Sequence, residues 1–147
     1  MTDSPHVSIT VRVRYFETDQ MQVAHHANYL VWFELARSEF CRVHGIDYTH
    51  MEQLGFFLPV VEAHCRYIAP ARYDEEITIT SYVIAAKRRS LRIGYTVFRA
   101  ETTLATGETY QIVVGPDRRP RSLPSEILQI FTADTPDSPD NTATEPN

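Results

Sequence analysis

The breaks between the strand-like segments of this chain are too short to be anything but turns. After Gly55 four stretches carry the apolar patterning of strands: residues 57–68, 75–86, 90–101 and 109–116. In the second, Ile77 and Ile79 alternate with Thr78 and Thr80; in the third, Leu91, Ile93, Tyr95 and Val97 alternate with Arg92, Gly94, Thr96 and Phe98. Only residues 69–74, 87–89 and 102–108 separate them. Parallel neighbours need crossovers of about a dozen residues or more, so these four read as antiparallel neighbours. A fifth strand comes first: in residues 6–15, Val7, Ile9, Val11 and Val13 fall on one side and Ser8, Thr10, Arg12 and Arg14 on the other.

One long helix interrupts this pattern. Over residues 28–44, Leu30, Phe33, Ala36, Phe40 and Val43 recur at three- and four-residue steps. Asn28 reads as its N-cap, Gly45 as its stop, and Glu34 with Arg37 as a pair on its outer face. Residues 48–54 suit a short second helix, and residues 123–131 a terminal one with Pro124 in its first turn. The economical solution is α+β: a five-stranded antiparallel sheet against one long helix, best covered if the sheet curls around it.

At 147 residues the chain reads as one domain, residues 7–131, with a frayed N-terminus (1–6) and a disordered acidic tail (132–147) holding four acids and no base. With 43% hydrophobic and 22% charged residues it resembles an ordinary soluble protein. No apolar run approaches the roughly 20 residues of a membrane span. The N-terminus has neither a basic start nor an apolar stretch, so the reading is cytoplasmic, with Cys41 and Cys65 reduced. The net charge of −5 disfavours a nucleic-acid partner, yet residues 87–121 carry eight bases against three acids and suggest a local anion site.

Chemistry concentrates in YFETDQMQVAHHANYLVWFELAR, residues 15–37. Asp19 lies just before a helix start, whose free N–H groups attract anionic oxygen. A carboxylate beside such a start is a compact kit for acyl transfer: one part attacks or activates water, the other holds the oxyanion. The neighbouring His25 and His26 project in different directions and lack the H-E-x-x-H spacing, so no metal is assigned. Neither cysteine has a base partner in the sequence, and no thiol nucleophile is assigned.

The run T-D-Q-M-Q-V-A-H-H-A-N-Y, residues 18–29, strongly resembles the pattern D-x-x-G-x-V-x-H-x-x-Y of the 4-hydroxybenzoyl-CoA thioesterase-like acyl-CoA thioesterases. Asp19, His26 and Tyr29 match in register. The likeness continues through Trp32-Phe33-Glu34, Val60-Val61-Glu62, Pro70-Ala71-Arg72-Tyr73-Asp74-Glu75, Arg88-Arg89-Ser90-Leu91, Thr106-Gly107-Glu108-Thr109 and Pro120-Arg121-Ser122-Leu123-Pro124. It departs at Gln22, where the pattern has Gly, and at Ala24, where Val is usual. Gly there would permit a positive φ, so Gln22 must either adopt an allowed conformation or change the loop.

The resemblance implies the hotdog fold and hydrolysis of an acyl-CoA thioester to a carboxylic acid and free coenzyme A, with no cofactor. It implies Asp19 as nucleophile or general base, and the backbone N–H of His26 as the group polarising the carbonyl. It places substrate contacts at Gln22, Val23 and Tyr29, Tyr29 being equally readable as core. Lys87, Arg88, Arg89 and Ser90, at a turn, suit the phosphates of coenzyme A. Glu34 is read as structural. The assembly implied is a homodimer, or a homotetramer built as a dimer of dimers. The alternatives are a non-catalytic acyl-CoA binder and a hotdog hydratase or dehydratase.

Overall fold

A computed structural model describes residues 6–132; the two terminal readings, a frayed end over residues 1–6 and a disordered tail over 132–147, fall almost wholly outside the described residues. The elements follow in the order β1 (His6–Arg12), a 3-10 turn (Tyr15–Glu17), α1 (Asn28–Val43), α2 (Tyr48–Gln53), β2 (Val60–Tyr67), β3 (Glu76–Lys87), β4 (Ser90–Arg99), β5 (Thr102–Ile112) and α3 (Ser125–Thr132). The five strands form one sheet in the order β1-β3-β4-β5-β2, antiparallel throughout. His6, read with the frayed end, is the first residue of β1 and pairs with Tyr82.

The inner face of the curved sheet holds Ile77, Ile79, Ile93, Tyr95 and Val97, all fully buried. Helix α1 lies in this concavity and presents Tyr29, Trp32, Phe33, Ala36, Phe40 and Cys41 to it. Phe33 stacks on Tyr95 with ring centroids 4.3 Å apart. Where Phe33 meets β5 the strand carries Gly107, and a Cβ there would come within 2.5 Å of both the Phe33 ring and the His64 carbonyl. A glycine inside a strand here marks close approach of a helix.

Several sequence expectations change. β5 runs through residues 102–108, which read as a break. The only chain between β4 and β5 is Ala100–Glu101, with Ala100 at φ 54°. The Thr and Gly content that suggested a loop instead serves pleating and the Phe33 contact. Leu30 and Val43, expected in the core, are 42% and 57% exposed. Asn28 is not the cap: Ala27 holds that position without a side-chain bond, and the Asn28 amide donates to the Glu17 carbonyl at 2.9 Å. Arg37 turns inward onto the hydroxyls of Tyr48 (3.2 Å) and Tyr95 (3.3 Å), leaving Glu34 exposed outside. Gly45 does end the helix, at φ 89°, and the Ile46 and Gly45 N–H groups close the last turn on the Cys41 and Arg42 carbonyls.

Replacing Gly107 by Ala forces Phe33 or β2 to shift. Chemical denaturation of the Gly107→Ala variant should show a loss of about 1–3 kcal/mol, the usual cost of overpacking.

Candidate active site

The loop from Arg14 to Ala27 is built on one buried acid. Glu17 is 3% exposed. Its carboxylate accepts from the Arg14 N–H (2.8 Å), the Arg14 guanidinium (3.2 Å) and the indole N–H of Trp32 on α1 (3.2 Å). Its main-chain carbonyl accepts from the His25 N–H (2.8 Å) and the Asn28 amide. Sequence reasoning missed Glu17, because nothing in the aperiodic stretch after β1 distinguishes it from a surface acid.

From Glu17 the chain makes a narrow loop, closed by bridge pairing of Thr18 with Ala24 and by the Asp19 N–H on the Val23 carbonyl (3.0 Å). Gln22 at the tip has φ 68°, the left-handed backbone that Gly would take freely. Gln22 thus holds the positive φ that the Gly of the pattern would permit, with a side chain added. The Asp19 carboxylate accepts from the Met21 N–H at 2.8 Å.

Opposite stands the end of β2 with the segment after it, of which Tyr67, Ile68, Ala69 and Pro70 form the wall, and the run Pro70-Ala71-Arg72-Tyr73-Asp74-Glu75 pins it in place. The buried Ala71 gives its carbonyl to the Ala24 N–H at 2.7 Å. Glu75 accepts from the Arg72 N–H (2.8 Å) and from Arg99 (3.1 Å), and Arg99 also donates to the Pro70 carbonyl (3.0 Å). These bonds fix the run against the sheet.

Between loop and wall lies a cleft of about 300 Å³ lined by Asp19, Val23, Ala24, His26, Tyr29, Tyr67, Ile68, Ala69 and Pro70. The start of α1 opens into it. Along this start the amide donors are occupied one by one: His25 on Glu17, Ala27 on the His25 ring, Asn28 on the His25 carbonyl, Tyr29 on the His26 carbonyl, Leu30 on the Ala27 carbonyl. Among the described residues the His26 N–H meets no acceptor. Tyr29 is both core and cleft wall, its hydroxyl pushed up by burial. Tyr67, which sequence reasoning did not single out, reaches across from β2 to donate to the His26 carbonyl at 3.0 Å. Burial, with Cys65 beside it, pushes its hydroxyl up to about 12, so it remains a donor at neutral pH.

The structure thus brings together Asp19, Val23, His26 and Tyr29. Gln22 is exposed at the loop tip, outside the cleft lining. Lys87, Arg88, Arg89 and Ser90 form the β3–β4 turn at the far end of the sheet. Tyr67 at the cleft is in register, through Ala105 and Val97, with Ile79, and the eight steps along β3 from Ile79 to Lys87 span about 26 Å. Within one chain this turn and the cleft do not meet. The rings of His25 and His26 stack at 4.2 Å, and among the described residues no three His, Cys, Asp or Glu side chains converge as a metal site. Burial pushes the Cys41 thiol up to about 12, which removes it as a nucleophile. Among the described residues no helix is long and apolar enough to cross a membrane.

Residues 13–131 match the model of the thioesterase-like superfamily. The acyl-CoA thioester hydrolase YbgC of Escherichia coli is 32% identical over 123 residues, 82% of this chain and 92% of that protein. A crystal structure of the hypothetical protein TT1821 from Thermus thermophilus superposes with a TM-score of 0.82 at 34% identity, covering 86% of this chain and 98% of the other. That of a DHNA-CoA thioesterase from Staphylococcus aureus gives 0.83 at 27% identity, covering 87% and 89%.

The positive φ at Gln22 costs a side chain on the order of 1–2 kcal/mol, while glycine loses more chain entropy on folding. Gln22→Gly should therefore stabilise the protein by about 0.5–1 kcal/mol in denaturant titrations.

Proposed function

The chain belongs to the thioesterase-like superfamily, and on that premise we propose that it is an acyl-CoA thioesterase, hydrolysing the thioester to a carboxylic acid and free coenzyme A. The observation that carries this reading is the cleft itself, where the Asp19 carboxylate and the open His26 N–H line one hollow at the start of α1. A thioester carbonyl seated there points its oxygen at the His26 N–H and the positive end of the helix, which hold the charge that develops during attack. Asp19 supplies the other half. As general base it takes a proton from the water whose oxygen attacks the carbonyl carbon. As nucleophile its own oxygen attacks, and water then cleaves the resulting anhydride. In both, the tetrahedral oxyanion collapses, the carbon–sulfur bond breaks and the sulfur leaves as the thiolate of coenzyme A. Water is the only co-reactant, so no cofactor is needed.

The phosphates of coenzyme A are assigned to Lys87, Arg88, Arg89 and Ser90, and the distance from the cleft makes this an assignment across subunits. Strand β2 is a sheet edge exposed along nearly its whole length, with Val60 and Val61 uncovered; Leu30, Val31 and Leu35 lie exposed on α1. Joining two copies at this edge about a two-fold axis reverses the sheet and carries the cationic turn of one copy toward the cleft of the other. The assembly proposed is this homodimer, alone or paired into a tetramer. The compartment proposed is the cytoplasm, in keeping with the two free cysteines.

Thiol release from a panel of aromatic, branched and fatty acyl-CoAs tests the activity and names the acyl group. Asp19→Asn should lower kcat by about 10²–10⁴-fold with acyl-CoA still bound. Undiminished turnover in that variant overturns the mechanism. Binding of acyl-CoA by the unaltered protein with no thiol released, under any substrate of the panel, makes the protein a binder instead.

The joint Arg88→Ala and Arg89→Ala substitution should raise KM with kcat nearly unchanged. It should also flatten the rise of KM with salt, since exposed charges are screened over about 10 Å at 0.1 M.

A further inference from the structure

We propose that His25 and Tyr67 are positioning residues that clamp the peptide plane His26–Ala27, the one that follows the plane carrying the His26 N–H, and so help to hold that N–H toward the substrate; this rests on the thioesterase reading. The N–H edge of that plane, from Ala27, donates to Nδ1 of the His25 ring at 3.1 Å. The C=O edge, from His26, accepts from the Tyr67 hydroxyl at 3.0 Å. A peptide unit is rigid and planar, so bonds at its two opposite edges fix its orientation. The plane that carries the His26 N–H, His25–His26, is held at its other edge, where the His25 carbonyl accepts from the Asn28 N–H (3.0 Å) and the Asn28 side-chain amide (3.3 Å), and the His25 N–H before it is held on the Glu17 carbonyl. His26 is thereby fixed from both neighbours, and its N–H is the donor the surroundings leave open.

The clamp is needed because α1 starts without a side-chain cap: Ala27 stands where Ser, Thr, Asp or Asn would accept from the first amides. His25 takes over part of that task from outside the helix. It does not line the cleft, so it acts through the peptide and not on the substrate.

The bond demands a particular protonation state. Nδ1 accepts only in the neutral ring with its proton on Nε2. Protonation removes the acceptor and sets a positive charge beside the positive end of α1.

The test compares His25→Ala, His25→Asn, Tyr67→Phe and the His25→Ala/Tyr67→Phe double variant, with folding checked by thermal melting. In Asn the side-chain oxygen takes the place of Nδ1 and does not titrate. His25→Ala should lower kcat about tenfold with little change in KM, the loss of one aligning hydrogen bond. His25→Asn should restore most of the rate, because its side-chain oxygen can accept the Ala27 N–H in place of Nδ1. The double variant should lose less than the product of the two single losses, because one broken edge already frees the plane. Wild-type kcat in His25→Ala, or a His25→Asn as slow as His25→Ala, overturns the proposal. Amide hydrogen exchange by NMR reads the clamp without turnover: the Ala27 N–H should exchange faster in His25→Ala, and unchanged exchange overturns the clamp. If the wild type releases no thiol, the thioesterase reading fails, and exchange alone then decides whether the clamp exists.

Discussion

The geometry of the cleft hangs on the burial of Glu17. A carboxylate removed from water is costly unless its oxygens are met by donors, and Glu17 is met by a backbone amide, a guanidinium and an indole N–H. The indole belongs to the central helix, fifteen residues away. This one contact ties the loop after β1 to α1 before any other part of the site is considered. The carbonyl of the same residue then receives the His25 N–H and the Asn28 amide, so side chain and main chain of Glu17 hold both ends of the segment that carries Asp19. An apolar residue there would leave Trp32 and Arg14 with unmet donors and the loop with no fixed distance from the helix.

Most of the sheet could be read from alternation, because one face of each strand must be apolar and the turns are short. β5 could not, since Thr102–Glu108 carries the polar and small residues of a loop; its strand character comes from the ladders with β4 and β2 on either side. The helix was found for the right reason and its buried face only in part. α1 is apolar on more than one side: Phe33, Ala36 and Phe40 face the sheet, while Leu30, Val31 and Leu35 face out. Periodicity finds an apolar stripe but cannot say which of two stripes the sheet will take. Arg37 was misplaced for a related reason. Its guanidinium is long enough to reach inward, where two tyrosine hydroxyls satisfy it, and a sequence shows no sign of hydroxyls brought in from α2 and β4.

The site divides along the same line. Asp19, Val23, His26 and Tyr29 lie within eleven residues, so a local motif suffices to find them. Glu17 was invisible because its value lies in Trp32, and Tyr67 because its partner is forty-one residues earlier. Charge counting found the cationic turn but not its distance from the cleft, which strand length sets. The same length gives that turn a reason to be used in trans.

Gln22 and His26 carry one further consequence. At Gln22 the backbone takes the left-handed conformation although the residue is not glycine, and at His26, which lines the cleft, the open donor is an amide, which every residue but proline possesses. In both places the site is specified by main-chain direction, held by neighbours: the Thr18–Ala24 bridge and the Asp19–Val23 bond for the first, Tyr67 and His25 for the second. Side chains at such positions are free to vary as long as the neighbours hold. The loss of Gly from the pattern therefore weakens the sequence signal far more than it disturbs the cleft, and the residues that constrain the chemistry most tightly are those one contact away from it.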